Sequence, residues 1–97
     1  MDAPDLHRDA SGRLFYSTRM PSIEEFPALA KEVSHSFGLS AAGELITDGA
    51  SIISWSFRRD ELPVELPWDI WMQFIVTAET PDAEPLVREI ANYLNAR

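Results

Sequence analysis

The side chains that could carry catalytic or metal chemistry are few in this chain and lie far apart. It has two histidines, His7 and His35, and no cysteine. A zinc site would have to recruit carboxylates from distant segments, because no pair of ligands occurs at metal-binding spacing. Ser34 and Ser36 flank His35, but adjacent helix positions point apart, so these residues do not form a nucleophile with its base. We predict no catalytic residue, no metal site and no cofactor.

Phosphate and nucleic-acid recognition is also poorly supported. The four glycines form neither a G-x-G-x-x-G pattern nor a phosphate-binding loop. With 16 acidic against 8 basic residues the formal charge is -8, which opposes binding to nucleic-acid phosphates or to an anionic membrane surface. The same field steers a cationic partner toward the protein. The alternative interpretation is that the charge serves only solubility.

Length and composition indicate one small globular domain. The chain has 97 residues, of which 45% are hydrophobic and 25% are charged, ordinary values for such a domain. Residues 1–11 hold little apolar mass, so we expect a mobile acidic leader followed by a single α+β domain over residues 12–97. The chain has no apolar run long enough for a membrane span and no signal-peptide pattern, which predicts a cytoplasmic protein.

The elements that must position any functional residue begin with a strand and a helix. The aromatic, β-prone stretch "RLFYST" predicts a strand over residues 13–18. Apolar residues at helical spacing predict a helix within residues 21–38, and Ser22 and Glu25 have the spacing of a capping box. Pro27 predicts that the first turn is irregular or that the helix begins later.

A hairpin follows, and the dipeptide Asp48–Gly49 indicates its turn. This pair suits a two-residue type I′ turn, which needs positive φ at both positions. The turn sets the register, and the register decides which side chains face the core. The residues expected on the core face are Ile46, Ile53, Trp55 and Phe57, and those expected on the other face are Leu45, Ile52, Ser54, Ser56 and Arg58.

The second half of the chain predicts a loop, a strand and a second helix. Two prolines argue against a central strand in residues 59–67. The apolar stretch "WDIWMQFIVTAE" (68–79) predicts a central strand. Its expected core face comprises Trp68, Ile70, Met72, Phe74, Val76 and Ala78. Residues 80–97 predict a helix that tolerates proline in its first turn.

The resulting order β-α-β-β-β-α predicts an α+β fold of two layers. Its simplest form is an antiparallel or mixed sheet of three to four strands with both helices on one face. That architecture leaves the second sheet face uncovered and places Trp71, Gln73 and Ile75 on it. Fully burying Trp71 would remove about 200 Å² from water. A loop or the leader, a second copy or a different protein are the alternatives for covering it.

The predicted loop over residues 58–69 is a second candidate interface. Its prolines stiffen it and its carboxylates would form an acidic prong for a basic cleft; the alternative is a solvated connection. Together with the open sheet face, the candidate partner-binding residues are Trp71, Gln73, Ile75, Asp60, Glu61, Glu65 and Asp69.

These observations favour a small acidic, non-catalytic protein-binding module, for example an inhibitor or immunity-type protein that neutralises a partner with a cationic site. The alternative is a self-associating, homodimeric structural or accessory subunit that pairs through the open sheet face or an edge strand. A third hypothesis is a small enzyme with a pocket between helices and sheet, for which the sequence offers no catalytic pattern.

Overall fold

The computed structural model describes residues 4–18 and 22–96. Residues 1–3, 19–21 and 97, which include the start of the expected leader and of the expected first helix, lie outside these ranges. The described chain forms β1 (Leu6–Arg8), β2 (Leu14–Thr18), α1 (Phe26–Ser36), β3 (Ser40–Ala41), β4 (Ile46–Thr47), β5 (Ile52–Ser54), β6 (Ser56–Arg59), β7 (Leu62–Glu65), β8 (Trp68–Asp69), β9 (Gln73–Ala78), a 3₁₀ turn (Pro81–Ala83) and α2 (Glu84–Asn95).

The nine described strands form one antiparallel sheet with β9 at its centre. One edge of β9 pairs with β2, and the other edge pairs with β7 and then β8. From there β6 and β3 continue outward from β7, while β5 and β4 continue outward from β8. The α+β class is confirmed, but the three- to four-stranded sheet and the order β-α-β-β-β-α are wrong. Part of the expected leader forms β1 on β2, and the domain boundary expected at residue 12 stays a prediction.

A segment expected to be a loop supplies one of the additional strands. Residues 60 and 61 form a two-residue turn, because Arg59 pairs with Leu62 and β7 runs back along β6. Pro63 and Pro67 do not prevent this, since a proline lacks only the N–H donor. Their carbonyl oxygens still accept the backbone N–H groups of Glu79 (3.1 Å) and Ile75 (2.9 Å) from the neighbouring chain segment.

The strand expected over residues 68–79 is two strands, β8 and β9, joined by a tight loop. The Asp69 carboxylate accepts the backbone N–H groups of Trp71 (2.9 Å) and Met72 (2.6 Å), which closes the loop. Trp68 then lies opposite Phe74 in the ladder. The expected alternation of core residues therefore holds from Phe74 onward and fails in the loop, where Ile70 is exposed and Met72 is half-buried.

The register predicted from Asp48–Gly49 is also wrong. The Asp48 carboxylate accepts backbone N–H groups of residues 50, 51 and 52, and this closes a longer loop than a two-residue turn. The Ser51 hydroxyl, with these N–H groups, holds the pKa of the Asp48 carboxyl far below its usual value. Thr47 consequently pairs with Ile53, and Ile46 pairs with Ser54. An odd shift in register exchanges faces, so Ile53 is 4% exposed whereas Ile46, expected in the core, is 69% exposed.

Helix α1 begins later than the start of its apolar pattern, as Pro27 allowed. Ser22 and Glu25 bond each other reciprocally, with the Ser22 hydroxyl donating to Glu25 Oε1 at 2.9 Å. This box closes a turn before the helix, which starts at Phe26. Pro27 then falls in the first helical turn, where the missing N–H would have no partner within the helix.

Both helices pack on one face of the sheet. The core cluster combines Phe26 of α1 and Ile90 of α2 with Phe74, Val76 and other alternate strand residues. The rings of Phe26 and Phe74 lie 5.5 Å apart. Ile75, which is buried but lies outside this cluster, belongs to the opposite, open face. Within the described ranges no helix is both long and apolar enough to cross a membrane.

The two tryptophans of the β8–β9 hairpin provide a direct test of this fold. Trp68 is 5% exposed and Trp71 is 87% exposed. Replacing Trp68 by alanine should lower the free energy of unfolding by about 3–5 kcal/mol, because the cavity left in the core cannot collapse fully. Trp71→Ala should change it by less than about 0.5 kcal/mol, as surface substitutions do. Urea denaturation of both variants measures the contrast, and equal losses would contradict the hairpin.

Candidate functional site

The structure separates two groups of the predicted partner-binding residues. Asp60 and Glu61 form the turn between β6 and β7, next to the pairing of Val64 with Ala78. Trp71 lies in the loop between β8 and β9, at the other end of β9. A strand of six residues spans roughly 20 Å. The acidic turn and the exposed tryptophan therefore lie at opposite ends of the sheet and do not form one site.

Glu65 lies on the open face between these ends and Asp69 lies at the Trp71 end, and both have structural contacts. Glu65 is half-buried and accepts a hydrogen bond from the Ser54 hydroxyl at 2.8 Å, which links β7 to the neighbouring strand pair. Asp69 closes the β8–β9 loop through backbone N–H groups. Each carboxylate thus fixes the backbone or a neighbouring side chain and also adds negative charge to the open face.

The large exposed hydrophobic side chains of the described chain lie on two adjoining segments, and we name the surface they form the apolar corner. Its β4–β5 and β8–β9 segments touch, since the Ile70 backbone N–H donates to the Ser51 carbonyl at 3.0 Å. Every large hydrophobic residue that is classed as exposed in the described ranges belongs to it, with exposures from 38% to 87%. The members of the apolar corner are Leu45, Ile46, Ile52, Ile70 and Trp71.

Sequence reasoning expected Trp71, Leu45 and Ile52 outside the core but placed the other two members of the apolar corner in it. Ile46 was assigned to the core face because the turn at Asp48 was expected to be two residues long, and the longer loop changes the register. Ile70 was assigned to it because one strand was expected to run through the loop that Asp69 closes. The available signal was the aspartate itself, since an aspartate readily accepts backbone N–H groups two or more residues ahead and so starts a turn.

Acidic residues adjoin the apolar corner along both of its segments. Glu44, Asp48 and Asp69 are neighbours in sequence of its members, and Ile52 pairs directly with Asp69. The chain has no lysine or arginine between Lys31 and Arg58, or between Arg59 and Arg88. Both segments that build the corner therefore carry only negative formal charge, which gives it an apolar centre with an acidic rim.

A shallow groove lies on the open sheet face beside the corner, and we name it the face groove. It has a volume of about 180 Å³. Ile75 and Thr77 of β9 contribute to it, and the loop residue Met72 connects it to the apolar corner. Its wall is mostly apolar. The residues that line the face groove are Asp9, Phe15, Pro67, Met72, Ile75 and Thr77.

Gln73 sits where the corner meets the face groove and has two unfavourable features. Its φ is 63°, in the left-handed region that residues with a Cβ rarely adopt. Its side-chain Oε1 is buried and has no hydrogen-bond partner among the described residues. An unpaired buried acceptor costs about 1–3 kcal/mol, so this residue is not optimised for stability.

A second cavity, of about 270 Å³, brings Arg13, Glu79 and Glu84 together. Burial, and then the nearby Glu65, raise the pKa of the Glu79 carboxyl, while Arg13 opposes the shift. Arg8 binds Glu84 at 2.8 Å, which lowers the pKa of that carboxyl. Among residues 4–18 and 22–96, no group of three or more histidine, aspartate or glutamate side chains could hold a metal ion.

Comparison with known proteins identifies no relative of this chain. The chain matches no protein-family model, and no curated protein or solved structure is significantly similar to it.

Gln73 supplies a test of strain at the corner. Glycine removes the roughly 1–2 kcal/mol that a Cβ costs in a left-handed backbone. Against this, glycine destabilises the folded state by about 0.5–1 kcal/mol, because it loses more conformational entropy on folding. Removing the unpaired amide adds to the gain, so Gln73→Gly should stabilise the protein by about 1 kcal/mol, or roughly 4–8 °C in Tm. Gln73→Ala keeps the Cβ and should gain less. Equal gains, measured by calorimetry, would show that the backbone is unstrained.

Glu79 gives a pH dependence of known sign. Because its pKa is raised, the folded state holds this proton more tightly than the unfolded state, and ionisation above that pKa costs stability. Glu79→Gln should therefore raise the Tm modestly near pH 7, and the gain should vanish as the pH falls toward about 3. Glu61→Gln, in the exposed turn, is the matched control and should gain less. A gain that persists at low pH would contradict the assignment.

Proposed function

We propose that this protein is a non-catalytic binding module that docks onto another protein through the apolar corner. The observation that supports this most is the clustering of all the large exposed hydrophobics of the described chain in adjoining segments. Isolated surface hydrophobics are normal, but a contiguous apolar patch with a polar rim is typical of an interaction site.

Trp71 is the main anchor of the proposed interface. It is 87% exposed and stands in a loop whose shape is fixed by hydrogen bonds to Asp69. Burying it would remove about 200 Å² from water, worth about 5 kcal/mol before the entropic costs of association. Tryptophan is also the residue type most enriched among interface positions that dominate binding energy.

The charge around the corner supports a cationic partner. Acidic side chains border the apolar centre and the chain carries a formal charge of -8, so encounter with a basic surface would be accelerated. A partner whose own working site is cationic would be covered by this docking. The role we propose is accordingly that of an inhibitor or immunity-type protein.

The interface proposed here is narrower than the residue set predicted from sequence. Trp71 and Asp69 belong to the corner and its rim. Gln73, Ile75 and Glu65 follow it along the open face. Asp60 and Glu61 lie at the opposite end of β9 and do not join it.

Self-association through the same corner is the alternative, and the charges disfavour it. A twofold interface brings the same patch of both copies together. The acidic rims, with Asp48 and Asp69, would then face each other, and like charges across an interface oppose binding. A heterologous partner with basic residues avoids that repulsion.

The test is affinity capture from a lysate of the source organism on immobilised protein, followed by measurement of Kd for the captured protein. Trp71→Ala should weaken binding by about 2 kcal/mol or more, about 30-fold in Kd, without a change in stability. Glu44→Gln should slow association at low salt, because it removes charge from the rim. The double variant Asp60→Asn, Glu61→Gln removes charge at the far end and should slow it less.

Two outcomes would contradict the proposal. One is that no protein is captured at either low or moderate salt. The other is a captured protein whose Kd is the same for the wild type and Trp71→Ala. Light scattering completes the test: a dimer that dissociates on Trp71→Ala would assign the corner to self-association instead.

A further inference from the structure

The face groove continues the apolar corner along the sheet. Met72 lines one end of the groove and directly follows Trp71 in the chain, while Asp9 lies at the other end. The stretch from Met72 to Thr77 would span roughly 16 Å at the rise of an extended strand. A peptide segment of about five or six extended residues has the length to lie along it and reach the corner.

The groove is formed before any partner arrives. Ile75 and Thr77 belong to the central strand, and the Ile75 N–H donates to the Pro67 carbonyl at 2.9 Å. Phe15 pairs with Thr77 across β2 and β9. Lining residues held in a sheet lose little freedom on binding, which lowers the entropic cost of docking.

The size of the groove fits a side chain better than a free metabolite. Its volume of about 180 Å³ is below the roughly 300–1,000 Å³ of small-molecule pockets. A wall built from proline, phenylalanine, methionine and isoleucine side chains matches an apolar side chain that is presented by a polypeptide.

The charges around the groove favour a particular kind of residue next to that side chain. Asp9 lines the groove, and Glu65 and Asp69 lie on the same face. Two arginines of the adjacent β1–β2 hairpin are directed elsewhere: Arg8 is bound by Glu84 at 2.8 Å, and Arg13 acts on Glu79. A segment with lysine or arginine next to its apolar residue is therefore complementary to the groove.

A second copy of this chain has no lysine or arginine next to its exposed apolar residues. The corner residues lie in segments without lysine or arginine, and their neighbours Asp48 and Asp69 are acidic. Inserting this corner into the acid-edged groove of another copy would bring like charges together.

From these observations we infer that the face groove receives an apolar side chain of a bound polypeptide segment, flanked by lysine or arginine, that runs from the Trp71 loop to Asp9. This inference rests on the proposed function and names the chemistry of the partner.

A phage-displayed library of random 12-residue peptides, selected on the immobilised full chain, tests it. The expected enrichment is one leucine, methionine or phenylalanine with lysine or arginine within two positions. The enriched peptide is then synthesised, and its Kd is measured by fluorescence anisotropy. Met72→Lys, which places a cation at the groove, and Thr77→Leu, which fills it, should each weaken binding at least tenfold.

Matched controls separate the groove from the corner and from overall charge. Glu61→Gln changes the net charge by the same amount as Met72→Lys, at the far end of the sheet, and should change the Kd less than twofold. Thermal unfolding of each variant verifies folding, and if Thr77→Leu does not fold, Met72→Lys alone decides. Sedimentation of the wild type and of Met72→Lys shows whether a second copy occupies the groove, because a wild-type dimer that Met72→Lys dissociates would overturn the inference.

Several results would overturn the inference while leaving the proposed function standing. If the enriched peptides contain no basic residues, the partner does not need lysine or arginine beside its apolar side chain. Peptides whose binding is lost with Trp71→Ala but unchanged by Met72→Lys and Thr77→Leu would assign recognition to the corner alone. Failure to enrich any peptide would also count against the groove, whereas the corner is tested independently by capture of the folded partner.

Discussion

Backbone hydrogen bonds along both edges of β9 connect the rest of this small protein. β2 occupies one edge, and the other edge holds first β7 and then β8, each of which carries two further strands. The helix-facing side chains Phe74 and Val76 anchor the core, and Ile75 and Thr77 shape the open face. Both faces therefore depend on one register. A shift of β9 by a single residue would move the core residues to the open side.

Much of the architecture follows from local patterns, and two of the errors have one physical origin. β2, both helices and the burial of Ile53 and Phe57 were predictable from periodicity. The register failed at Asp48 and the strand assignment failed at Asp69, where a carboxylate captures several backbone N–H groups and holds a loop. Whether an aspartate forms a tight turn or holds a wider loop depends on which strands then pair, and this is a tertiary property.

The candidate site was likewise predictable only in part. The position of Trp71 outside the core was predictable from the sequence, although its expected place on a strand was wrong. Ile52 was expected outside the core as well. The exposure of Ile46 and Ile70 was not predictable, because it results from the loops that Asp48 and Asp69 close. The predicted acidic residues were grouped because residues 58–69 were expected to form one loop, but pairing of β6 with β7 sends Asp60 and Glu61 to the far end of the sheet.

The two loops of the corner keep their shape through inward bonds and display their hydrophobic residues outward. Asp48 and Asp69 hold backbone N–H groups, so the loop conformation does not require an isoleucine or a tryptophan at the exposed positions. Loops on a rigid scaffold tolerate sequence change better than the elements that they connect. The molecule thus separates the residues that maintain its fold from those available for recognition. Such a division lets specificity diverge between descendants of one ancestor without loss of the scaffold.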